Sequence, residues 1–292
     1  MTWIATKVLT HRELYRTNRE RLKIPTFSAP AIDAFEQRWI EACLNAIPDT
    51  GNPGTLSALQ QRMAELIEKE QLAPQPTASY VADKMPQAEF RTLVQEFAVD
   101  GLTEAQSFYY ILPRLTLEAQ MPMLRIMIDE FGCGNLKRAH TSLYVNLLHE
   151  LAMPTELAYY VDRVEPACLA FVNLFFWLTL RANDASYFAG TITYLETIIP
   201  SFFACYTTAC NRLGIQAHAY YSEHRHIDPF HAMEGQRLLK AMDATGALDV
   251  AKAWKGAQLA SLITNKAFED AVAKARLPLS MANLPAGVHR CA

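Results

Sequence analysis

The chain has 292 residues, 51% of them apolar and 20% charged, with a formal net charge of −3. That balance suits one large or two modest globular domains and gives no electrostatic case for nucleic acid or an anionic membrane as partner. The N-terminal stretch MTWIATKVLTHRELYRTNRERL has neither an apolar core nor a small-residue cleavage site, so no signal peptide is expected.

Residues 1–30 read as a charged arm with Pro25 and Pro30 near its end. Helical signals follow almost without relief. Helices are expected at about 31–47, stopping at Pro48, and at about 55–72, stopping before Pro74. The proline-rich stretch 73–86 reads as a linker. Further helices are expected at about 87–98, at 103–112 with Thr103 as cap, and at 117–131 running into Gly132-Cys133-Gly134. The pattern continues at 136–151, in a short helix after Pro154, and at 166–182. A long helix at 184–213, bent by Pro200, precedes helices at 216–241 and 247–275. The most apolar run, Ala170–Leu180, is too short to cross a bilayer and is interrupted by Asn173. No period-2 alternation stands out, so the chain reads as all-α, with one helical domain over 31–280 and a tail at 281–292. Six cysteines without a CxxC pair fit a reducing cytoplasm, where most serve as small buried hydrophobes and Cys291 is exposed.

The chemistry concentrates in HRHIDPFH. His224, Asp228 and His231 stand at i, i+4 and i+7, within about 60° of one another on a helix turning about 100° per residue. Two imidazoles and a carboxylate on one face suit a redox metal such as iron. His226 is rotated by about 200° and is excluded, and His218 lies off the face. The three ligands alone would serve one iron as a facial triad; a dinuclear site needs more carboxylates, one able to bridge. Charged residues in apolar helical surroundings are the candidates, because burying them unpaired is costly. Glu104 (EAQSFYYIL), Glu130 (MPMLRIMIDEFGCG) and His140 (LKRAHTSLYVNLL) qualify. Each also has an ordinary reading, as a first-turn acid, a solvated helix end and a hydrogen-bonded core histidine respectively.

The ordered set Glu104, Glu130, a Gly-x-Gly before His140, then His224-x3-Asp228-x2-His231 resembles the haem-oxygenase-like diiron oxidase and oxygenase family. The likeness covers roughly residues 90–245, which would be the metal-binding core. It implies a haem-oxygenase-like bundle of about seven core helices, here with N-terminal additions, that binds two Fe(II) ions and takes O2 as co-substrate. By that analogy Glu104, His224 and Asp228 mainly serve one iron, His140 and His231 the other, and Glu130 bridges.

The resemblance also implies a small, amino-acid-derived substrate, with outcomes ranging from N-oxygenation to C–C cleavage, desaturation and decarboxylation in natural-product pathways. Some N-oxygenating relatives carry an additional carboxylate between the second glutamate and the first histidine. Residues 131–139 (FGCGNLKRA) have none, which favours carbon oxidation over N-oxygenation. Arg138, Arg225 and Tyr109 are candidate substrate contacts, and a homodimer is compatible with the reading. Pro229, inside the ligand triplet, removes a backbone donor, so this helix is expected to be weakly ordered until metal binds.

Other readings are weaker. A ferritin-like centre needs two Glu-x-x-His motifs and the chain has one, at Glu223–His226. A haem protein with proximal His140 leaves the carboxylates idle, and nothing pairs Cys133 or Cys205 with a histidine for nucleophilic catalysis. A metal-free helical binding protein is the non-enzyme alternative.

Overall fold

The computed structural model describes residues 9–73 and 75–278. The first eight residues of the expected arm, Pro74 of the expected linker, and the expected tail at 281–292 with Cys291 lie outside the described residues. Every regular element among those described is helical: α1 His11–Lys23, α2 Pro30–Ala46, α3 Leu56–Leu72, α4 Pro76–Asp83, α5 Gln87–Gly101, α6 Leu117–Glu130, α7 His140–Glu150, α8 Leu157–Val161, α9 Pro166–Leu180, α10 Ser186–Phe202, α11 Ala204–Leu213, α12 Ala219–Ala244 and α13 Val250–Ala275. Proline opens α2, α4 and α9, where its missing N–H costs nothing. Thr55 and Asp249 cap α3 and α13 by accepting from Ala58 N and Lys252 N.

Four stretches differ from the sequence-based expectation, each for a local reason. The charged arm contains α1, which a Thr10–Glu13 capping box starts and which buries Leu14 and Tyr15. Asn173, the polar interruption of the apolar run, is its anchor: Asn173 Nδ2 donates to His11 O at 2.8 Å, and its Oδ1 accepts from Asn18 Nδ2 at 3.1 Å. The linker contains α4. Residues 103–112 form no α-helix, because Thr103 Oγ1 donates back to Val99 O at 2.7 Å and Ala105 takes φ 61°. Thr103 therefore closes α5 instead of opening a new helix, and short 3-10 turns follow at Gln106–Phe108 and Leu112–Arg114. The long helix ends at Phe202, two residues after Pro200, and restarts at Ala204. The span Ser186–Leu213 is apolar enough to cross a membrane by composition, but 61% of its apolar window is buried inside the fold, as a core element's would be.

Two contacts hold the helices that carry the site. α10 and α13 touch backbone to backbone: a Cβ on Gly190 would lie 1.8 Å from Ala253 O, and one on Gly256 2.0 Å from Tyr187 O. Gly190→Val is therefore expected to cost about 3 kcal/mol or more, read as a lower urea midpoint. An unchanged midpoint would mean that the helices are not in such close contact. The second contact is a buried ion pair, Lys274 Nζ to Glu96 Oε1 at 2.6 Å, joining α13 to α5. Glu96 Oε2 also accepts from Glu165 N at 2.6 Å, at the start of α9. With each polar group partnered, this network fixes the end of α5, from which Glu104 projects.

Candidate metal centre

Four segments converge on one point. Glu104 follows α5, Glu130 ends α6, His140 begins α7, and His224, Asp228 and His231 line the inner face of α12. All are buried except Glu104, which is partly so, and Asp228 and His231 are each only 1% exposed. His226 is exposed, in keeping with the helical register. α12 runs through Pro229 without a break.

The turn between Glu130 and His140 is unusually tight. Gly132, Cys133 and Gly134 all have positive φ, at 61°, 53° and 80°. A Cβ on Gly132 would lie 2.5 Å from Ala139 N, so only glycine permits this closure. The turn folds α7 back onto the end of α6 and sets His140 Nδ1 2.8 Å from Glu130 Oε2.

The ligand atoms form two groups. Glu104, Glu130, His140 and His224 offer atoms that all lie within 4.8 Å of one another, and so do Glu130, Glu196 and His231. Glu130 belongs to both, with Oε2 towards His140 and Oε1 3.7 Å from His231 Nδ1. His224 Nδ1 lies 2.7 Å from Tyr220 O, to which it donates its proton; that leaves Nε2, 2.9 Å from Glu104 Oε1, free to ligate. Asp228 stands between its two helix neighbours, Oδ1 3.6 Å from His231 Nδ1.

Three points revise the sequence reading, the first being that Asp228 approaches His231 and belongs to neither ligand group, rather than joining Glu104 and His224. His140 stands with Glu104 and His224, its ring centroid 4.2 Å from that of His224, because the glycine turn delivers it to that side. It does not share a group with His231. Glu196, on α10, was missed. It is 8% exposed, and its Oε2 lies 3.2 Å from His231 Nδ1. The signal was present in GTITYLETIIP, a lone acid in an apolar helix, which is the criterion that singled out Glu104 and Glu130.

These residues fit a bound cation. Both oxygens of Asp228, Oε2 of Glu104, Oε2 of Glu130 and Nδ1 of His140 are buried without a hydrogen-bond partner. Glu130 and His140 approach to 2.8 Å yet are not aligned for a hydrogen bond. Such lone pairs are costly to bury unless they share an electrophile. Burial and then Glu196 push the Asp228 carboxyl up to about 9. Burial favours neutral His231, but Glu196 outweighs it and carries the imidazole up to about 9. Glu104 likewise raises His224 against the pull of burial. Burial would raise Glu130, yet His140 outweighs it and holds the carboxyl at about 2. Without metal the cluster retains protons that a divalent ion would displace.

The centre opens on a cavity of about 80 Å³ walled by Phe108, Phe171, Phe175, Phe203 and Tyr220. None of the three expected substrate contacts lines it. Arg225 donates to Thr207 Oγ1 at 2.9 Å, Arg138 is two-thirds exposed beside Glu223, and Tyr109 stacks on Phe131 at the surface.

Comparison with known proteins identifies the family of the chain. The family model of iron-containing redox enzymes matches residues 91–264, more than half of the chain. The chain belongs to that family, and the cluster lies inside the matched span. It is also similar to a nitrosourea synthase of Streptomyces achromogenes subsp. streptozoticus, at 24% identity over 162 residues. That match takes in 52% of this chain and 33% of the relative, so the chain matches about a third of the relative's length.

Proposed function

We propose that the protein is a non-haem diiron oxidase or oxygenase that uses O2 on a small amine- or amino-acid-derived substrate. The observation that carries this is Glu130, whose two oxygens face two separate ligand groups. Glu104, His140 and His224 would hold one iron, and Glu196, Asp228 and His231 the other, with Glu130 between them. Two ferrous ions would supply electrons for reducing O2. The chain contributes orientation and dryness: the Tyr220 carbonyl fixes the His224 tautomer, and the aromatic wall keeps bulk water from the cavity.

Between the two reaction types, N-oxygenation is now the better supported. The preference for carbon oxidation rested on the lack of a carboxylate in residues 131–139, but Glu196 brings an additional one from α10. The relative's name denotes a product with a nitroso group on nitrogen, which points the same way. Anaerobic titration with Fe(II) should reach two ions per chain, and the loaded protein should consume O2 faster with its amine substrate than without. A plateau at one ion or none would contradict the reading.

A further inference from the structure

The cavity beside the metal centre holds one carboxylate more than the proposed iron ligands use. Asp100 lines it, on the last turn of α5, and is neither in the two ligand groups nor opposite any cation. Among the described residues its carboxylate forms no hydrogen bond and no ion pair. Its position is unfavourable in itself, since a helix C-terminus repels a negative charge. Two further hydroxyl groups, on residues that line the same cavity, have no hydrogen-bond partners among the described residues. They are the hydroxyls of Ser107, 7% exposed, and Tyr220, 3% exposed.

Charge balance gives these groups a meaning. When ionised, Glu104, Glu130, Glu196 and Asp228 carry four negative charges, and the three histidines are neutral as ligands. Two Fe(II) ions cancel them. Asp100 then remains without a counter-ion in an aromatic pocket, where burial and the neighbouring Glu104 raise its carboxyl well above the usual range, so that its ionised form calls for a cationic partner. No lysine or arginine among the described residues lines the cavity, so it offers no such cation to a substrate carboxylate. The aromatic walls favour a cation over an anion.

We propose that Asp100, with Ser107 and Tyr220, recognises a positively charged nitrogen, an ammonium or guanidinium, and holds it beside the metal centre. This rests on the diiron reading and narrows its substrate class: the cationic end of the molecule enters the cavity, and any carboxylate it carries stays outside. Asp100 is thus a specificity residue that touches substrate and not metal.

The test uses three probes of similar size, butylammonium, butanol and butyrate, titrated calorimetrically into the anaerobic Fe(II)-loaded full chain. Iron per chain is measured on the same samples. Wild type should hold two irons and bind butylammonium in preference to the other two probes. Asp100→Asn should keep both irons and weaken butylammonium about tenfold or more, leaving butanol unchanged. Asp100→Glu, which retains the charge, should recover part of the loss. Loading of two irons with no preference for the cation, or equal cation binding by Asp100→Asn, overturns the proposal. Iron loss in Asp100→Asn would make Asp100 a ligand and overturn it as well. Fewer than two irons in wild type would defeat the diiron reading first, and this proposal with it.

Discussion

Glu130→Ala is expected to remove both irons from the protein, not one. Among the described residues Glu130 alone belongs to both ligand groups, with Oε2 towards His140 and Oε1 towards His231. Its loss takes a ligand from each group and leaves the carboxylates and imidazoles facing one another across an uncompensated gap. Metal affinity should fall by well over about a hundredfold at both positions, since even residues that merely orient ligands cost that much. Glu104→Ala, which touches one group only, should spare part of the iron. Chelator-based iron counting after anaerobic loading separates the two variants. Retention of two irons by Glu130→Ala would show that the carboxylate is not shared.

The second large effect has opposite signs for stability and for metal binding. Asp228 buries both carboxylate oxygens without a partner. Its carboxyl is raised from 3.8 to about 9, and the His231 imidazole from 6.5 to about 9. A raised folded-state pKa means stability that is complete below the unfolded value and lost as pH climbs through the folded one. The metal-free protein should therefore weaken from about pH 3.8 upward through Asp228, and more steeply between about pH 6.5 and 9, where His231 adds to the loss. Iron uptake should strengthen over the same interval, because fewer protons have to be displaced. Asp228→Leu removes the orphaned carboxyl, and the cavity that Asp228 lines leaves room for the larger side chain. This variant should gain about 1 to 3 kcal/mol in urea unfolding at pH 8 with chelator present, while losing iron binding. A metal-free Asp228→Leu protein weaker than wild type would contradict the account of strained, ligand-seeking groups.

The parts of this site visible in the sequence were those that obey a short-range rule. Three ligands on α12 follow from helical spacing, and the same spacing correctly turns His226 to solvent. The Gly132–Gly134 turn was legible as a place where the chain could reverse, and it does so with three left-handed residues. The pairing of His140 with His224 was not legible, because it depends on which way that turn folds α7. Glu196 was overlooked because its neighbours in sequence carry no other ligand; only packing of α10 against α12 brings it to His231. The same limit hid α1, whose charged composition disguised a buried face, and gave Thr103 a helix to open when it closes one. Asn173 looked like a flaw in an apolar run and proved to be the hydrogen-bonding anchor for α1. In each case a local pattern marked the residue, and a long-range partner decided its role.

The central claim is most directly tested by anomalous diffraction at the iron edge, on crystals of the full chain grown anaerobically with Fe(II). Two peaks should flank the Glu130 carboxylate, one beside Glu104, His140 and His224, the other beside Glu196, Asp228 and His231. A single peak, or iron bound away from Glu130, would contradict the account.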